Sequence, residues 1–312
     1  MRARLVPARR EGAGGIRRSG AAVGRDARRD AAVTPIPGFD QDAFVTATLA
    51  EDLGDAGDIT SAAVIPADAR FVAAMNTRDA ITVAGLDVAA AFFRRIDPEA
   101  TIKMLVVDGT QAAPGTRLMT IEGSARALLT AERSALNTVQ HLSGIATLTA
   151  HYVARIAGTG AVLLDTRKTL PGLRHLEKYA TRTGGAQNHR MGLWDAAMIK
   201  DNHVAVAGSV GEAVRRALAA GIAEVIVEVD RVDQIEPALA AGATRLLLDN
   251  MPPAVLRGAV TLVGGRVPTE ASGGVNLDTI RAIAEAGVDF ISVGRLTQSA
   301  PAADIGLDFA LI

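Results

Sequence analysis

The second half of the chain, from about residue 161, is patterned as short apolar runs separated by segments of helical length. The runs lie at 162–164, 196–199, 225–229, 246–248, 267–271 and 290–293. Continuous apolar strands that alternate with helices are typical of a parallel sheet covered by helices on both faces. Because polar residues stand at the ends of these runs, the pattern predicts six strands of an α/β barrel whose carboxyl ends open into one mouth.

The preceding part of the chain has a different pattern, in which short strands and helices are mixed. A helix is predicted over 38–53, because its apolar residues share one face and Gly54 can end it. Strands are predicted at 71–75, 81–83, 104–107 and 117–121, with helices near 88–96 and 125–144. From 305 to 311 apolar and polar residues alternate, which predicts a half-exposed antiparallel strand that returns to this first sheet.

The predicted fold class is therefore α/β, with an incomplete, open α/β barrel of about six parallel strands. An α+β sandwich domain accompanies it, formed by the N-terminal part and the C-terminal strand. We expect the sandwich at 35–144 with 297–312, and the catalytic barrel at 145–296.

Residues 1–34 form a basic extension with nine Arg and three acidic residues. It has few large apolar residues to bury, so it is predicted to be disordered. An Arg-rich, acid-poor start could be an organellar transit peptide, although Ser is scarce here. An untidy extension or an upstream start codon is the simpler interpretation.

Composition excludes several classes of protein. With 312 residues, 49% of them hydrophobic, the chain can bury a large core. Its net charge of −1 creates no whole-surface field, so neither nucleic acid nor membrane is expected as a partner. Every apolar run is shorter than the roughly 20 residues of a membrane-spanning helix. The absence of cysteine excludes disulfides, zinc–thiolate sites and thiol nucleophiles, and it fits a cytoplasmic protein.

Positive charge is concentrated between residues 165 and 203. The Lys and Arg residues there outnumber the acids seven to four: Arg167, Lys168, Arg174, Lys178, Arg182, Arg190 and Lys200, against Asp165, Glu177, Asp195 and Asp201. Several of these charges follow apolar runs directly, which predicts an anion site at the barrel mouth. The alternative is that each cation pairs with an acid beside it, although the acids are too few for the whole set.

Two later strand ends are rich in glycine. Ser272, Gly273 and Gly274 follow one predicted strand, and Val293 and Gly294 end the next. Glycine lets the backbone approach an anion closely, and the amide N–H groups of such loops can donate to its oxygens. Together the two loops predict the phosphate site that barrel enzymes build late in the chain.

Other polar residues have more than one interpretation. Glu228 and Asp249 end neighbouring strands, where they could hold a divalent cation, ribose hydroxyls or a developing positive charge; a salt bridge is the alternative. His189 is interpreted as a ligand contact or a residue that orients one, and His175 as structural. Arg133 lies at the margin of a helix face and either pairs within the chain or meets a ligand.

Many ordered motifs carry a family resemblance. In the barrel they are DTRKTLPGLR at 165–174, EKYA at 177–180, GGAQNHR at 184–190, KDNH at 200–203, LDNM at 248–251 and EASGG at 270–274. Outside it they are EDLG at 51–54, GDIT at 57–60, ERSALN at 132–137 and LSGIAT at 142–147. From about Phe39 to its end, the chain resembles the quinolinate phosphoribosyltransferase family. It departs from the family at Arg295 and Gln298, where a small residue and a His are expected.

The resemblance implies a reaction in the de novo biosynthesis of NAD. The ring nitrogen of quinolinate attacks C1 of phosphoribosyl pyrophosphate, pyrophosphate leaves with Mg²⁺, and the 2-carboxylate is lost as CO₂ to give nicotinate mononucleotide. It also implies a homodimer, or a higher oligomer, in which the active site is shared between subunits and Arg133 comes from the other subunit.

The resemblance further assigns roles to individual residues. Quinolinate is held by Arg133, Thr166, Arg167, His189 and Arg190. Phosphoribosyl pyrophosphate is held by Lys168, Lys200, Glu228, Asp249, Ser272, Gly273, Gly274, Val293 and Gly294. The catalytic residues among these are Lys168, Lys200, Glu228 and Asp249, and the last two hold Mg²⁺ through substrate and water.

Two alternatives stay open. A related phosphoribosyltransferase of another aromatic acid should have an altered carboxylate-binding set, whereas Arg133, Arg167 and Arg190 are all present here. A non-catalytic barrel that only binds phosphorylated metabolites should have lost Glu228, Asp249 or Lys168, and none is lost.

Overall fold

The structure is a computed structural model that describes residues 36–311. The basic extension at 1–34, predicted to be disordered, lies outside the described residues. The elements up to residue 155 are α1 (Gln41–Leu53), α2 (Ile59–Val64), β1 (Arg70–Thr77), β2 (Ile81–Thr82), α3 (Leu86–Ile96), β3 (Thr101–Met104), β4 (Gln111–Ala112), β5 (Arg117–Ser124) and α4 (Ala125–Arg155).

The remaining elements alternate between strand and helix. They are β6 (Val162–Leu164), α5 (Arg174–Thr183), β7 (Ala197–Ile199), α6 (Asp201–Ala207), α7 (Val210–Ala219), β8 (Val225–Val229), α8 (Ile235–Ala240), β9 (Arg245–Asp249), α9 (Pro253–Val263), β10 (Thr269–Ser272), α10 (Ile280–Ala284), β11 (Phe290–Ser292), α11 (Arg295–Gln298) and β12 (Ile305–Leu311), with a short 3₁₀ turn at Val232–Gln234 before α8.

Four strands form an antiparallel sheet in the order β12-β1-β5-β3. The C-terminal strand β12 pairs with β1 along its whole length, which confirms the predicted return of the tail to the first sheet. Helices α3 and α4 pack together beside the sheet. Their fully buried side chains, including Phe92 and Phe93 from α3 and Leu128 from α4, form the core of this half of the protein.

Six parallel strands form the second sheet, in the order β6-β11-β10-β9-β8-β7. The first of them, β6, pairs with the last, β11, but within residues 36–311 nothing pairs β6 with β7. The sheet is therefore an incomplete barrel that is open between β6 and β7, and the predicted fold class is confirmed. Val225, Val227, Leu246 and Leu248 are fully buried in its core, as expected for parallel strands covered by helices.

Helix α4 differs from its prediction, because it continues past Gly144 to Arg155. Gly144 does not end the helix; a Cβ at this position would collide with the backbone of Pro301, where the tail crosses. In the same crossing the backbone N–H of Ala303 donates to the carbonyl of Gln140 at 3.0 Å. Where the two domains divide stays a prediction, since α4 runs from one hydrophobic core into the other.

The strand predicted at 104–107 is wrong in position, because β3 lies at Thr101–Met104. Thr101 and Lys103 are exposed and the residues between and after them are half-buried, so this edge strand shows an alternating pattern. The apolar run that suggested the strand leads out of the sheet, and Leu105 and Val107 are exposed.

The helices of the described chain were compared with the length and apolar character of a membrane-spanning helix. The longest, α4, has 31 residues but carries the charged residues Arg126, Glu132 and Arg133. None of the helices in residues 36–311 combines the length and apolar character needed to cross a bilayer.

Candidate active site

A cavity of about 660 Å³ opens at the carboxyl ends of the barrel strands. All of the residues predicted from the sequence to bind substrate, except Arg133, line it: Thr166, Arg167, Lys168, His189, Arg190, Lys200, Glu228, Asp249, Ser272, Gly273, Gly274, Val293 and Gly294. The barrel topology explains the convergence, because the carboxyl ends of parallel strands meet at one edge of the sheet.

The strand register places the polar residues beside one another. Asp249, the last residue of β9, is the register partner of Ser272 at the end of β10. Glu228 lies one residue before the end of β8, and Lys200 directly follows β7. The Lys200 ammonium pairs with the Glu228 carboxylate across the cavity. This edge of the sheet therefore combines carboxylates, a lysine and a hydroxyl.

Four cations of the cavity have no carboxylate partner within residues 36–311: Arg167, Lys168, Arg190 and Arg295. The Nε of Arg167 is buried and has no hydrogen-bond partner. Arg190 donates through Nη1 to the carbonyl of Ala196 at 2.9 Å, which leaves its other donors free of backbone contacts. Burial lowers the pKa of Arg190, and the nearby charge of Arg167 lowers it further. Mutual repulsion of this kind favours a bound anion.

The neighbouring acids, which could have paired with these cations, make other contacts. Asp195 accepts from the backbone N–H groups of Met191, at 2.5 Å, and Gly192, at 3.2 Å. Burial raises the pKa of Asp195, but backbone hydrogen bonds and the charge of Arg190 outweigh it, and the net pKa is lowered; the two side chains form no salt bridge. Asp201 accepts from the backbone N–H of Asn202. Local pairing with neighbouring acids therefore does not explain the cation cluster.

The buried acid Asp165 holds the segment that carries His189 and Arg190. Its carboxylate accepts from the ammonium of Lys178 at 2.5 Å and from the backbone N–H of His189 at 2.8 Å. The side chains of Thr181 and Asn188 donate to its second oxygen, at 2.8 and 2.6 Å. Burial lowers the pKa of Lys178, and the charge of Asp165 only partly offsets this effect. Four donors thus fix this part of the cavity wall.

Backbone conformation favours glycine at 273 and 274, and close neighbours favour it at 273 and 294. Gly273 and Gly274 have φ of +89° and +62°, a region that other residues rarely adopt. A Cβ on Gly273 would collide with Asn250, and a Cβ on Gly294 would lie 2.7 Å from Cδ of Lys168. The loops therefore expose backbone next to the cavity, as a phosphate site needs.

Eight residues of the cavity were not assigned to the site from the sequence. They are Met198, Leu247, Asn250, Glu270, Val275, Ser292, Arg295 and Gln298. Glu270 is fully buried, and its Oε2 lies 3.3 Å from Nε2 of His189. The available signal was an acid inside the apolar run at 267–271, in phase with Ser272 on the same face of the strand.

Two other predicted residues lie elsewhere. Arg133 is exposed on α4 and does not line the cavity in the described chain. His175, interpreted as structural, lies 3.1 Å from the carbonyl of Pro37 through Nδ1. A single chain therefore holds every predicted substrate ligand except Arg133.

The cavity has a limited set of metal ligands. Within the described part of the chain, no three His, Cys, Asp or Glu side chains come together as a metal site. Mg²⁺ commonly binds through one or two carboxylates together with substrate phosphates and waters. Glu228 and Asp249 fit that kind of binding, and a site built from protein ligands alone is not supported.

An open α/β barrel whose mouth combines unpaired cations, carboxylates and glycine-rich strand ends defines an enzyme that acts on phosphorylated, anionic substrates. The family model for "Quinolinate phosphoribosyl transferase, N-terminal domain" matches residues 58–143, and that for the C-terminal domain matches residues 145–308. The chain belongs to the quinolinate phosphoribosyltransferase family.

Individual relatives agree with this assignment. Nicotinate-nucleotide pyrophosphorylase [carboxylating] of Mycobacterium leprae is 45% identical over 267 residues, covering 83% of this chain and 94% of the relative. The chloroplastic enzyme of the same name from Oryza sativa is 38% identical, with 92% and 82% covered. Among solved structures, nicotinate-nucleotide pyrophosphorylase from Francisella tularensis is 38% identical with a TM-score of 0.84, covering 89% of this chain and 99% of that one.

Proposed function

We propose that this chain converts quinolinate and phosphoribosyl pyrophosphate into nicotinate mononucleotide, pyrophosphate and CO₂. The observation that carries the proposal is the set of cations without carboxylate partners within residues 36–311, gathered with the glycine loops in one cavity. Both substrates are polyanions, so their negative charges would compensate the repulsion among Arg167, Lys168 and Arg190.

The quinolinate end of the cavity is assigned to the guanidinium groups. Arg167 and Arg190 have planar donor sets that match carboxylates, and Thr166 and His189 line the same wall. Two adjacent carboxylates on one ring would engage two guanidinium groups at once. This arrangement would fix the ring nitrogen for attack on the ribose.

The phosphoribosyl end is assigned to the later strands. The loops at 272–274 and 293–294 would bind the 5-phosphate, while Lys168 and Lys200 would neutralise pyrophosphate as it leaves. Glu228 and Asp249 would hold ribose hydroxyls and favour positive charge at C1. In the second step the bond from C2 to its carboxylate breaks, the electron pair stays on C2, and a proton replaces the CO₂. Positioning and electrostatics would supply most of the rate.

We propose Mg²⁺ as the cofactor, held by Glu228 and Asp249 mainly through substrate and water. Its chemistry would be to neutralise the pyrophosphate group. Lys200 already pairs with Glu228, so one of the two carboxylates has a cation beside it without a metal ion. This pairing supports binding of Mg²⁺ mainly through substrate and water. The compartment, predicted to be the cytoplasm, stays a prediction, because relatives named chloroplastic and mitochondrial share the family.

We also propose a homodimer in which Arg133 completes the neighbouring site. Beside the cavity lies a groove lined by Leu193, Trp194 and Val206, whose exposed fractions are 73%, 79% and 89%. Large apolar side chains exposed together favour a protein partner. Arg167 and Arg190 line both the groove and the cavity, so a second copy seated there would lie next to the quinolinate end.

The decisive experiment is an assay with quinolinate, phosphoribosyl pyrophosphate and Mg²⁺ that measures nicotinate mononucleotide and CO₂ together. We expect both products in equal amounts. Nicotinate and other aromatic acids, tested in place of quinolinate, examine the alternative of a different acid substrate. An Asp249→Asn variant prepared in the same way is the control. Product no greater than that of this variant would exclude the proposed function.

A further inference from the structure

A buried carboxylate lies beneath the quinolinate end of the cavity without a role in the proposed reaction. Glu270 has no exposed surface, and its Oε1 has no hydrogen-bond partner. Its Oε2 lies between two nitrogens, 3.3 Å from His189 Nε2 and 3.5 Å from Arg245 Nη1. A buried carboxylate costs free energy unless it is paired, so an acid at this position needs a reason.

Packing alone does not provide that reason. The neighbouring interior positions Leu247 and Met198 are apolar, and an apolar side chain at position 270 would extend the same cluster. Arg245 does not depend on Glu270 for its charge balance, because it also pairs with Glu224 at 3.1 Å and lies over the ring of Phe290 at 4.7 Å. The contact between Glu270 and His189, on the side of the cavity, is therefore the one that can explain the buried acid.

The imidazole of His189 has a defined proton position. Its Nδ1 accepts from the backbone N–H of Arg190 at 2.7 Å. Because a backbone N–H can only donate, Nδ1 carries no proton, and the proton of the neutral ring sits on Nε2. Nε2 lies 3.3 Å from Oε2 of Glu270, which is an ion-pair distance without hydrogen-bond geometry, and no other acceptor within residues 36–311 reaches it. The ring therefore lies between the Glu270 carboxylate and the backbone N–H of Arg190.

The backbone of His189 is fixed independently of Glu270. Its N–H donates to Asp165 at 2.8 Å, and its carbonyl accepts from Lys178 at 2.8 Å. Loss of Glu270 would consequently release the ring while the chain around it stays anchored. The pKa of Glu270 agrees with an ionised acceptor: burial raises it, but His189, Ser292 and Arg245 outweigh burial and lower it.

We propose that Glu270 is a positioning residue for quinolinate binding. It holds the His189 ring through Nε2 and so keeps the imidazole at the cavity wall beside Arg190, whose guanidinium lines the cavity. The inference rests on the proposed function, because it assumes that His189 and Arg190 meet quinolinate. Its acceptor role toward His189 can nevertheless be tested without any substrate.

The first test is ¹⁵N NMR of the imidazoles in the protein without ligands. The chain has five His, and the His189 signals are those missing from a His189→Gln variant. We expect one tautomer in the wild type, protonated at Nε2. In Glu270→Ala the Nε2–H has no acceptor, so a mixture of tautomers or exchange broadening should appear. Glu270→Gln keeps an acceptor oxygen and should retain the wild-type pattern.

The second test separates the two substrates kinetically. In Glu270→Ala we expect the KM for quinolinate to rise about tenfold, as for a buried donor left without a partner. The KM for phosphoribosyl pyrophosphate should change by less than about twofold, because the carboxylate of Glu270 contacts His189 and Arg245 rather than the loop at 272–274. Glu270→Gln should recover most of the quinolinate affinity. Glu122→Gln, an exposed carboxylate of β5 paired with Arg70, is the control for loss of one negative charge.

Three outcomes distinguish the explanations. An unchanged ¹⁵N pattern with unchanged KM values in Glu270→Ala would overturn the proposal. An equal rise in both KM values together with a lower Tm would also overturn it, since that is the effect of a merely structural residue. If the wild type forms no product, the proposed function fails, and the NMR result still decides whether Glu270 holds His189.

Discussion

Replacing Lys178 by Met is the sharpest test of how the cavity wall is built. The Lys178 side chain is 1% exposed, and its ammonium contacts Asp165 at 2.5 Å and the carbonyl of His189 at 2.8 Å. Met fills a similar volume without the charge, so a large cavity should not form. The substitution therefore isolates the loss of the cation beside a buried carboxylate.

The magnitude follows from what remains around Asp165. Breaking a buried ion pair by removing one partner costs about 3–5 kcal/mol. Thr181, Asn188 and the backbone N–H of His189 still donate to the carboxylate, so the lower end of that range is expected. We predict a loss of about 3 kcal/mol in the free energy of unfolding. Because domains of this kind have about 5–15 kcal/mol in total, the variant should still fold.

Urea denaturation at pH 7 and 25 °C, followed by circular dichroism, measures this loss. The double variant Lys178→Met with Asp165→Asn should be more stable than Lys178→Met alone, because no uncompensated charge stays buried. Arg231→Met removes the cation of an exposed pair, with 62% and 72% of the side chains exposed, and should leave stability unchanged. A loss below about 1 kcal/mol for Lys178→Met, or a double variant that is less stable than the single one, would refute the reasoning.

Three further predictions concern pH, the phosphate loop and the shared site. Because its pKa is lowered in the folded protein, ionised Glu270 stabilises the fold at pH values above the ordinary glutamate pKa, and this stabilisation is lost as the pH falls through the folded-state pKa. Between pH 6 and pH 3 the free energy of unfolding of the wild type, measured by urea unfolding, should therefore fall relative to that of Glu270→Gln. Gly294→Ala would push against Lys168, so the KM for phosphoribosyl pyrophosphate should rise about tenfold while quinolinate affinity, measured by calorimetry, stays unchanged. Lys168→Ala should lower kcat about a hundredfold or more, and Arg133→Ala should raise the KM for quinolinate. An equal mixture of the two variants should regain about a quarter of wild-type activity, because half of the dimers are mixed and each mixed dimer has one intact site. No recovery of activity in the mixture would contradict the shared site.

The barrel was predictable because its strands are buried on both faces. Each is a short, mainly apolar run with polar or glycine residues at its carboxyl end, and the six runs match the observed strands to within two residues at either end. The order of the strands in the sheet could not be predicted in this way. Pairing of β6 with β11, which leaves the barrel open toward β7, depends on contacts between residues far apart in the chain, and periodicity carries no information about them.

The errors in the first half have a local cause. The helix predicted over 125–144 continues through Gly144, where the missing side chain makes room for Pro301. The strand at 104–107 was misplaced because an apolar run is a poor marker for an edge strand, whose outer residues face water. In both cases a tertiary contact, or its absence, overrode the local pattern.

Most of the residues that line the cavity could be predicted because they are charges or glycines at strand ends, where the barrel fold gives them a common direction. Glu270 was not assigned, since it lies inside an apolar run, and an acid there can serve either end of the barrel. Only the distances show that it faces both His189 on the cavity side and Arg245 on the other side. The position of Arg133 outside the cavity likewise depends on the packing of α4.

The Lys and Arg side chains in and around the cavity fall into two groups, those that pair with a carboxylate and those that do not. Lys178 and Lys200 each have a carboxylate, so their charges are compensated before any substrate binds. Arg167 and Lys168 have none within the described chain, and both line the cavity. The overall net charge is −1 and residues 1–34 carry a surplus of six positive charges, so the remaining chain carries −7. A polyanionic substrate is therefore repelled by most of that surface and attracted at the barrel mouth, where unpaired positive charge is concentrated. Buried Lys178 holds the wall in place, Lys200 lies beside Glu228 in the cavity, and the unpaired cations make the cavity suited to an anion.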